Sequence, residues 1–575
     1  MKNNFKGLLS EREYSTLNVY FIISLLLVCI FVLSINWFPV TDYIPNRDNA
    51  LFSLSGELIR KGGIPYESYW DHKPPIIHFL NAAALITSGG SIWGIWILSL
   101  LALLSSVLSA YLSARALYGQ KGVVAGSAFA ILGLWPFFQA NLTEQYAMPL
   151  GWFTILISIG WAKSRISDGL FGGVTSFILF LCFMLRQNLI AAPLSFILVS
   201  FIFLVVSTDR ERVVSFSLSS VAGFAGPAIA TTGFFWTLDV YDSFIDQAFT
   251  YNFVYSSAGW VDRLDALVTG VGLLPLGGLV GAAWLFFVVS NHQSFNLSAK
   301  GNTLVVAIAL WLPLEFGMAS ISGREYPHYF MTVIPPASLV FGYLGEQIHV
   351  KGLPPQISFL ANPSVLLCGA LIISSLSTPQ VVTEVRSALA RLTSSGSNSI
   401  THTVSVDVRS RTNRDDHIFV WGSQPSIYLF ADRPPASRFV YVYPILTTGY
   451  TGEKIIGQLM SDLRSTPPKV IIDASAGSPD IPTLTEWQPS WVSGSYAVPP
   501  ELRSLYKYVR ANYTRANTKT SQWPLYIRTT STGFDSEIGS HFQYADVSST
   551  YTEGIPSAQS TPRLLWKSRT LSASF

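Results

Sequence analysis

Apolar residues dominate the first 380 positions in blocks of 17 to 25, separated by short polar connectors. A helix of that length crosses the hydrocarbon core of a bilayer, which is roughly 30 Å thick. Such blocks fall at 19–38, 91–114, 122–139, 146–163, 169–186, 189–207, 213–237, 264–289, 303–320, 328–345 and 363–379. The pattern predicts a polytopic α-helical membrane protein of about 11–13 spans, with eleven the direct count. The apolar stretch from Pro74 to Ser88 is too short to cross, and reads as an interfacial or re-entrant helix.

Beyond Gln380 the periodicity changes. A Ser/Thr/Gly/Asn-rich linker, 381–400, leads into short strand-like runs such as HIFVWG and KVIID, alternating with the amphipathic helical patterns GEKIIGQLMSDLRS and ELRSLYKYVRANY. Residues 401–530 are therefore predicted to form a small α/β domain. Residues 531–575 are rich in Ser and Thr without periodicity and are expected to be disordered. The transmembrane module is 1–380, with a long first connecting loop at 39–92.

Charge settles the orientation. Only 12% of the 575 residues are charged, so each charged connector is informative. Lys2, Lys6 and Arg12, then Arg115 and Lys121, Lys163 and Arg165, Arg210 and Arg212, Lys300, and Lys351 fall in alternate loops, which the positive-inside rule assigns to the cytoplasm. The N-terminus is thus expected in the cytoplasm, in a multi-pass protein of the cell membrane, and the first loop and C-terminal domain outside it. The first block follows a polar segment of some 18 residues and lacks a small-residue cleavage site, and so reads as a retained signal anchor. Net charge of +3 offers no nucleic-acid surface. Cys29, Cys182 and Cys368 each lie inside an apolar block, where a thiol packs rather than ligates.

The first loop carries the chemistry. RDNALFSLSGELIRKGGIPYESYWDHKPPIIHF concentrates Arg47, Asp48, Glu57, Arg60, Lys61, Asp71, His72, Lys73 and His78 in a chain that otherwise spends charge sparingly. Asp48 opens an amphipathic helix that stops at Gly62 and Gly63, and the WDHKPP turn returns an acid and a base to the membrane surface before Pro74 and Pro75. Tyr66, Tyr69 and Trp70 lie beside it, where rings could stack on a sugar or cover a lipid chain. Glu144, Arg186, Gln187, Asn188, His328 and Tyr329 are further polar groups on the same side.

These residues carry a resemblance. An acid after the first span, G-x-PY some fifteen residues on, and D-H-K-P-P before an apolar helix look like the GT-C superfamily of lipid-linked-sugar glycosyltransferases, in the branch of protein O-mannosyltransferases and the lipid A aminoarabinose transferase. ARALYGQKG, SGREYPHYFMTVIPP and FVWGSQPSIYLFADRPPASRFVY extend the resemblance to about Arg528. It implies inverting transfer of a sugar from a polyprenyl-phosphate donor to a lipid, glycan or protein acceptor on the outer face. Asp48 would be the general base, and Lys73, Arg324 and Arg47 would hold the donor phosphate. Asp71, His72, Tyr66, Trp70, Glu144, His328 and Tyr329 would meet acceptor or sugar.

A divalent metal at Asp71, His72 and His328 is one arrangement of those groups; hydrogen-bonded histidines near an interface are the other. A secondary transporter or flippase-like protein is the alternative function. It would place its rare charges at mid-bilayer in broken helices, whereas here they crowd one outer loop.

Overall fold

The structure is a computed structural model that describes residues 26–41, 43–118, 140–207, 209–256, 258–273, 277–347, 386–387, 389–390, 399–478, 480–516 and 523–529. The expected spans at 122–139 and 363–379, Cys368, most of the linker and the tail 531–575 lie outside the described residues.

Four described helices are long and apolar enough to cross a membrane: Trp93–Leu117, Asp168–Leu185, Arg210–Thr237 and Lys300–Ser320. Shorter apolar helices, Leu26–Asn36, Ile76–Thr87, Ala191–Val206 and Leu279–Ser290, accompany them, and Thr143–Ala162 completes this set. Together they give the protein a membrane location. Within the block at 264–289 the described residues form Trp260–Leu273 and Gly277–Ser290. One expectation changes. The block at 328–345 opens as the 3-10 helix Pro327–Val333 before the α-helix Ile334–Gln347 begins. Pro335 and Pro336 fall in the first turn of that second helix, where missing N–H groups cost nothing.

Small residues let two of the spans touch backbone to backbone. Asp168–Leu185 presents Gly169, Gly172 and Gly173 to Ser215, Ser219, Ser220 and Gly223 of Arg210–Thr237. A Cβ on Gly223 would sit 2.2 Å from the Gly173 carbonyl oxygen. Lipid offers little hydrophobic drive between helices, so this close approach is what dispersion needs.

One end of this bundle gathers cations. Asp168 Oδ1 accepts from Trp161 Nε1 at 2.7 Å and from Lys300 Nζ at 3.1 Å, and Oδ2 accepts from Arg212 Nε at 2.7 Å. At the other end of the same 18-residue helix stands Arg186. At 1.5 Å per residue the two ends are roughly 27 Å apart, close to a hydrocarbon thickness.

Residues 399–529 contain a four-stranded sheet. Its strands are β1 (Ile418–Trp421), β2 (Val470–Asp473), β5 (Tyr513–Arg515) and β6 (Leu525–Arg528), in the order β1-β2-β6-β5. β1 and β2 are parallel, and the other pairings are antiparallel. A two-stranded ribbon of β3 (Val492–Ser493) and β4 (Tyr496–Ala497) lies apart from it. The helix Glu453–Ser465 buries Ile455, Ile456, Leu459, Met460 and Leu463 along one stripe, as its amphipathic spacing requires. The core of this region reaches back into the first loop: Leu51, Leu54, Tyr69 and Trp70, together with Tyr251 of a later segment, belong to the same apolar cluster as Trp421 and Val440.

Candidate active site

The first loop folds as a helix, a tight turn and a second helix. Asn46 caps the helix Arg47–Arg60 by accepting from Asn49 N at 2.6 Å, which places Asp48 in the first turn beside the positive end of the helix dipole. Lys61 closes the helix, and Gly62 follows at φ +93°, a conformation that suits glycine. The helix packs closely on Ile76–Thr87, because Gly56 has no Cβ; one there would lie 2.8 Å from the Asn81 carbonyl carbon. The same Asn81 joins a sealed carboxamide cluster. Asn141 Nδ2 donates to Asn49 Oδ1 at 3.0 Å and to Asn81 Oδ1 at 2.9 Å, and Tyr146 Oη donates to Asn141 Oδ1 at 2.8 Å. This cluster ties the base of the Asp48 helix to the start of Thr143–Ala162.

Arg47 bonds Asp48 Oδ1 twice, through Nη2 at 2.7 Å and Nε at 2.9 Å. Oδ2 is left for another donor. Burial favours the neutral acid, but the charges of Arg47, Lys73 and His328 outweigh it and hold the carboxyl well below the usual carboxylate range. The guanidinium of Arg47 lies 5.1 Å over the Tyr443 ring and 5.9 Å over that of Tyr441. Arg47 is therefore neutralised by its neighbour and braced by rings, rather than left as a free cation.

Lys73 stands differently. It is 4% exposed, and its Nζ lies 3.0 Å from His72 Nε2. No ion pair joins it to a carboxylate among the described residues. Burial, and then the nearby charge of Arg186, push its ammonium down to about 8, against the pull of Asp48 and Asp71. Arg324 resembles it in lacking an acid: its Nη2 donates to Ser495 Oγ at 3.2 Å, its Nε is buried with no partner, and its guanidinium lies 4.8 Å over Tyr255. A buried cation is normally paired, so Lys73, with the half-buried Arg324 as a second cation, leaves room for an anion.

The remaining expected residues divide. Tyr66 is fully buried at φ +68°, with its hydroxyl donating to the Lys73 carbonyl at 2.9 Å. Trp70 donates from Nε1 to Tyr450 Oη at 3.2 Å and from its backbone N to the Arg438 carbonyl at 2.7 Å. Both rings are spent on packing the turn and have no open face for a sugar, contrary to the sequence expectation. Asp71 is also fully buried. Its Oδ1 accepts from Lys73 N at 3.2 Å, and its Oδ2 lies 3.5 Å from His78 Nε2. Burial pushes its carboxyl up to about 7, against the pull of Lys73 and with the push of Asp48.

Glu144 is paired with Arg186 and accepts from Thr143 Oγ1 at 2.9 Å. His328 stacks on Tyr326 with ring centroids 5.9 Å apart and meets Tyr329 edge-on at 4.8 Å. The metal arrangement is not formed. Among the described residues no three His, Cys, Asp or Glu side chains converge as a metal group, and both nitrogens of His72 are already engaged, by Lys73 and by Tyr441 Oη at 3.2 Å.

Sequence reasoning missed the tyrosines. Tyr251, Tyr255, Tyr441 and Tyr450 surround the WDHKPP turn from two distant segments, and Tyr443 lies under Arg47. The run FVYVYP was the available signal, because it places two tyrosines two residues apart in the C-terminal region.

No protein-family model matches the chain, and no curated protein does. Among solved structures it is similar to ArnT from Cupriavidus metallidurans bound to undecaprenyl phosphate, with a TM-score of 0.55 and 12% identity, over 89% of this chain and 98% of that one. It is also similar to ArnT from Cupriavidus metallidurans in the apo state, with a TM-score of 0.51 and 12% identity, over 88% and 98%. The chain thus shares its overall fold with these ArnT structures over most of its length. At such identity the likeness is one of fold.

Proposed function

We propose that this protein is a membrane glycosyltransferase that moves a sugar from a polyprenyl-phosphate carrier to a hydroxyl of a lipid, glycan or protein acceptor on the outer face of the membrane. The observation that carries this reading is Lys73, a buried cation without an ion-paired acid among the described residues, whose charge acts on the ionised carboxylate Asp48; Arg324 is a second cation without such an acid. The fold shared with a protein whose structure holds undecaprenyl phosphate supports the choice of anion.

In this reading the acceptor hydroxyl oxygen attacks the anomeric carbon from the side opposite the phosphate. Its proton passes to Asp48 Oδ2 as the bond from the anomeric carbon to the phosphate oxygen breaks. The leaving group departs as polyprenyl phosphate and needs cations rather than a proton, which Lys73 and Arg324 supply. With Arg47, Lys73 and His328 all holding its carboxyl down, Asp48 alone would be a poor base. A bound phosphate offsets the charge of Lys73 and raises the carboxyl toward a useful range.

The test is transfer by purified protein in lipid nanodiscs supplied with polyprenyl-phosphate sugars, followed by mass spectrometry of the carrier. Asp48→Asn is expected to cut turnover by about 100-fold or more while still binding carrier. Normal turnover by that variant overturns the assignment.

A further inference from the structure

The C-terminal region reaches the Lys73 ammonium through two side chains. Tyr441, 2% exposed, places its hydroxyl 3.2 Å from His72 Nδ1, and His72 Nε2 lies 3.0 Å from Lys73 Nζ. The direction of each bond follows from what the groups can do. An ammonium only donates, so Nε2 accepts; a neutral imidazole then carries its hydrogen on Nδ1, which donates to the tyrosine oxygen. Asp71 Oδ1 is the other acceptor near Nδ1, at 3.5 Å, and already takes Lys73 N. Burial and the adjacent Lys73 charge both keep the ring neutral.

His72 has little freedom to do anything else. Its carbonyl accepts from Asn252 Nδ2 at 2.8 Å. Its ring packs against those of Tyr251 and Tyr255, with centroids at 5.5 and 5.4 Å, and Trp70 at 6.3 Å. Tyr441 also lies beneath Arg47, the partner of Asp48. One ring from the C-terminal region therefore adjoins both the candidate base and the candidate phosphate cation.

We propose that His72 and Tyr441 are positioning residues for the donor phosphate: Tyr441 fixes the tautomer and angle of His72, and His72 Nε2 accepts a hydrogen bond from one N–H of the Lys73 ammonium so that the other two N–H groups face the phosphate. The C-terminal region is then a working part of the donor site and not only a cover. This inference rests on the polyprenyl-phosphate reading, and its test separates the two.

The measurement is binding of undecaprenyl phosphate to the detergent-purified full chain, with the KM for carrier and kcat taken in parallel. Lys73→Met examines the underlying reading and is expected to weaken binding by about tenfold or more. Tyr441→Phe removes only a hydroxyl and is expected to raise the carrier KM about threefold to tenfold with kcat little changed. His72→Gln keeps an acceptor near the Nε2 position and is expected to bind close to wild type, whereas His72→Asn loses it and should weaken binding nearly as far as Lys73→Met.

Unchanged binding by Lys73→Met overturns the phosphate reading itself. Weak binding by Lys73→Met together with wild-type behaviour of both Tyr441→Phe and His72→Asn overturns the relay alone. Equal loss by His72→Gln and His72→Asn also overturns it, since a purely packing role for the ring would not tell the two amides apart.

Discussion

Arg186 Nη1 lies 2.5 Å from Glu144 Oε1, and the same guanidinium sits 3.5 Å from the centroid of the Tyr329 ring. Three helical segments are joined by this one cation: the start of Thr143–Ala162, the end of Asp168–Leu185 and the 3-10 helix Pro327–Val333. Removing Arg186 leaves a buried carboxylate without its counter-ion. Arg186→Met is expected to cost roughly 3–5 kcal/mol of stability, and Glu144→Gln combined with Arg186→Met should recover much of it. Thermal unfolding of the three proteins in one detergent reads the difference, and a double variant no more stable than Arg186→Met would show that the pair is not the unit.

The position of Asp48 depends on a helix contact that glycine permits. Gly56→Ala drives a methyl group into the Asn81 backbone, so the two helices must separate. The expected loss is about 1–3 kcal/mol, with a fall in turnover because Asn81 also holds the Asn141 carboxamide, which in turn bonds Asn49 at the root of the site. Ala at Gly62, where nothing lies within 4 Å, serves as the control. It should cost backbone strain but leave the Asn81 contact in place.

Donor binding should depend on pH through Lys73. Its ammonium is pushed down to about 8, so the charged form that grips a phosphate is lost as pH rises through that value. Carrier affinity measured from pH 6.5 to 9.5 should fall across the middle of the range. Lys73→Arg, whose guanidinium keeps its proton throughout, should remove that fall even if its affinity is lower.

Asp71 predicts the opposite kind of pH record, in stability. Its carboxyl lies at about 7 in the folded chain against an ordinary 3.8, so the folded state holds this proton more tightly than the unfolded one. The resulting stabilisation is complete below the ordinary value, declines as pH rises above it, and is gone beyond about 7. Asp71→Asn keeps the shape and a hydrogen-bond donor toward His78 while removing the titration. The melting temperature of wild type should drop more between pH 5 and pH 8 than that of Asp71→Asn; equal drops would place the titrating group elsewhere.

The helix beginning near Asp48 and ending at Gly62 could be read from the sequence because its signals are local: an acid at its start and two glycines past its end. The apolar spans were legible for the same reason. What escaped was whatever depends on pairing across the chain. His72 and Tyr441 are 369 positions apart, and nothing in either neighbourhood reports the other. Tyr66 and Trp70 looked like ligand-facing rings because composition places them beside charged residues, yet only the packed structure shows that their polar atoms are consumed by Lys73 O and Tyr450.

Asn141 begins the tripeptide Asn-Leu-Thr, an acceptor pattern for N-linked glycans. Its side chain is fully buried, and its amide nitrogen is committed to Asn49 and Asn81. An oligosaccharide cannot be attached there, or tolerated there, without dismantling the carboxamide cluster. In a eukaryotic expression host, glycosylation at Asn141 would therefore mark chains that had failed to fold, and a mobility shift on treatment with a glycosidase would count them.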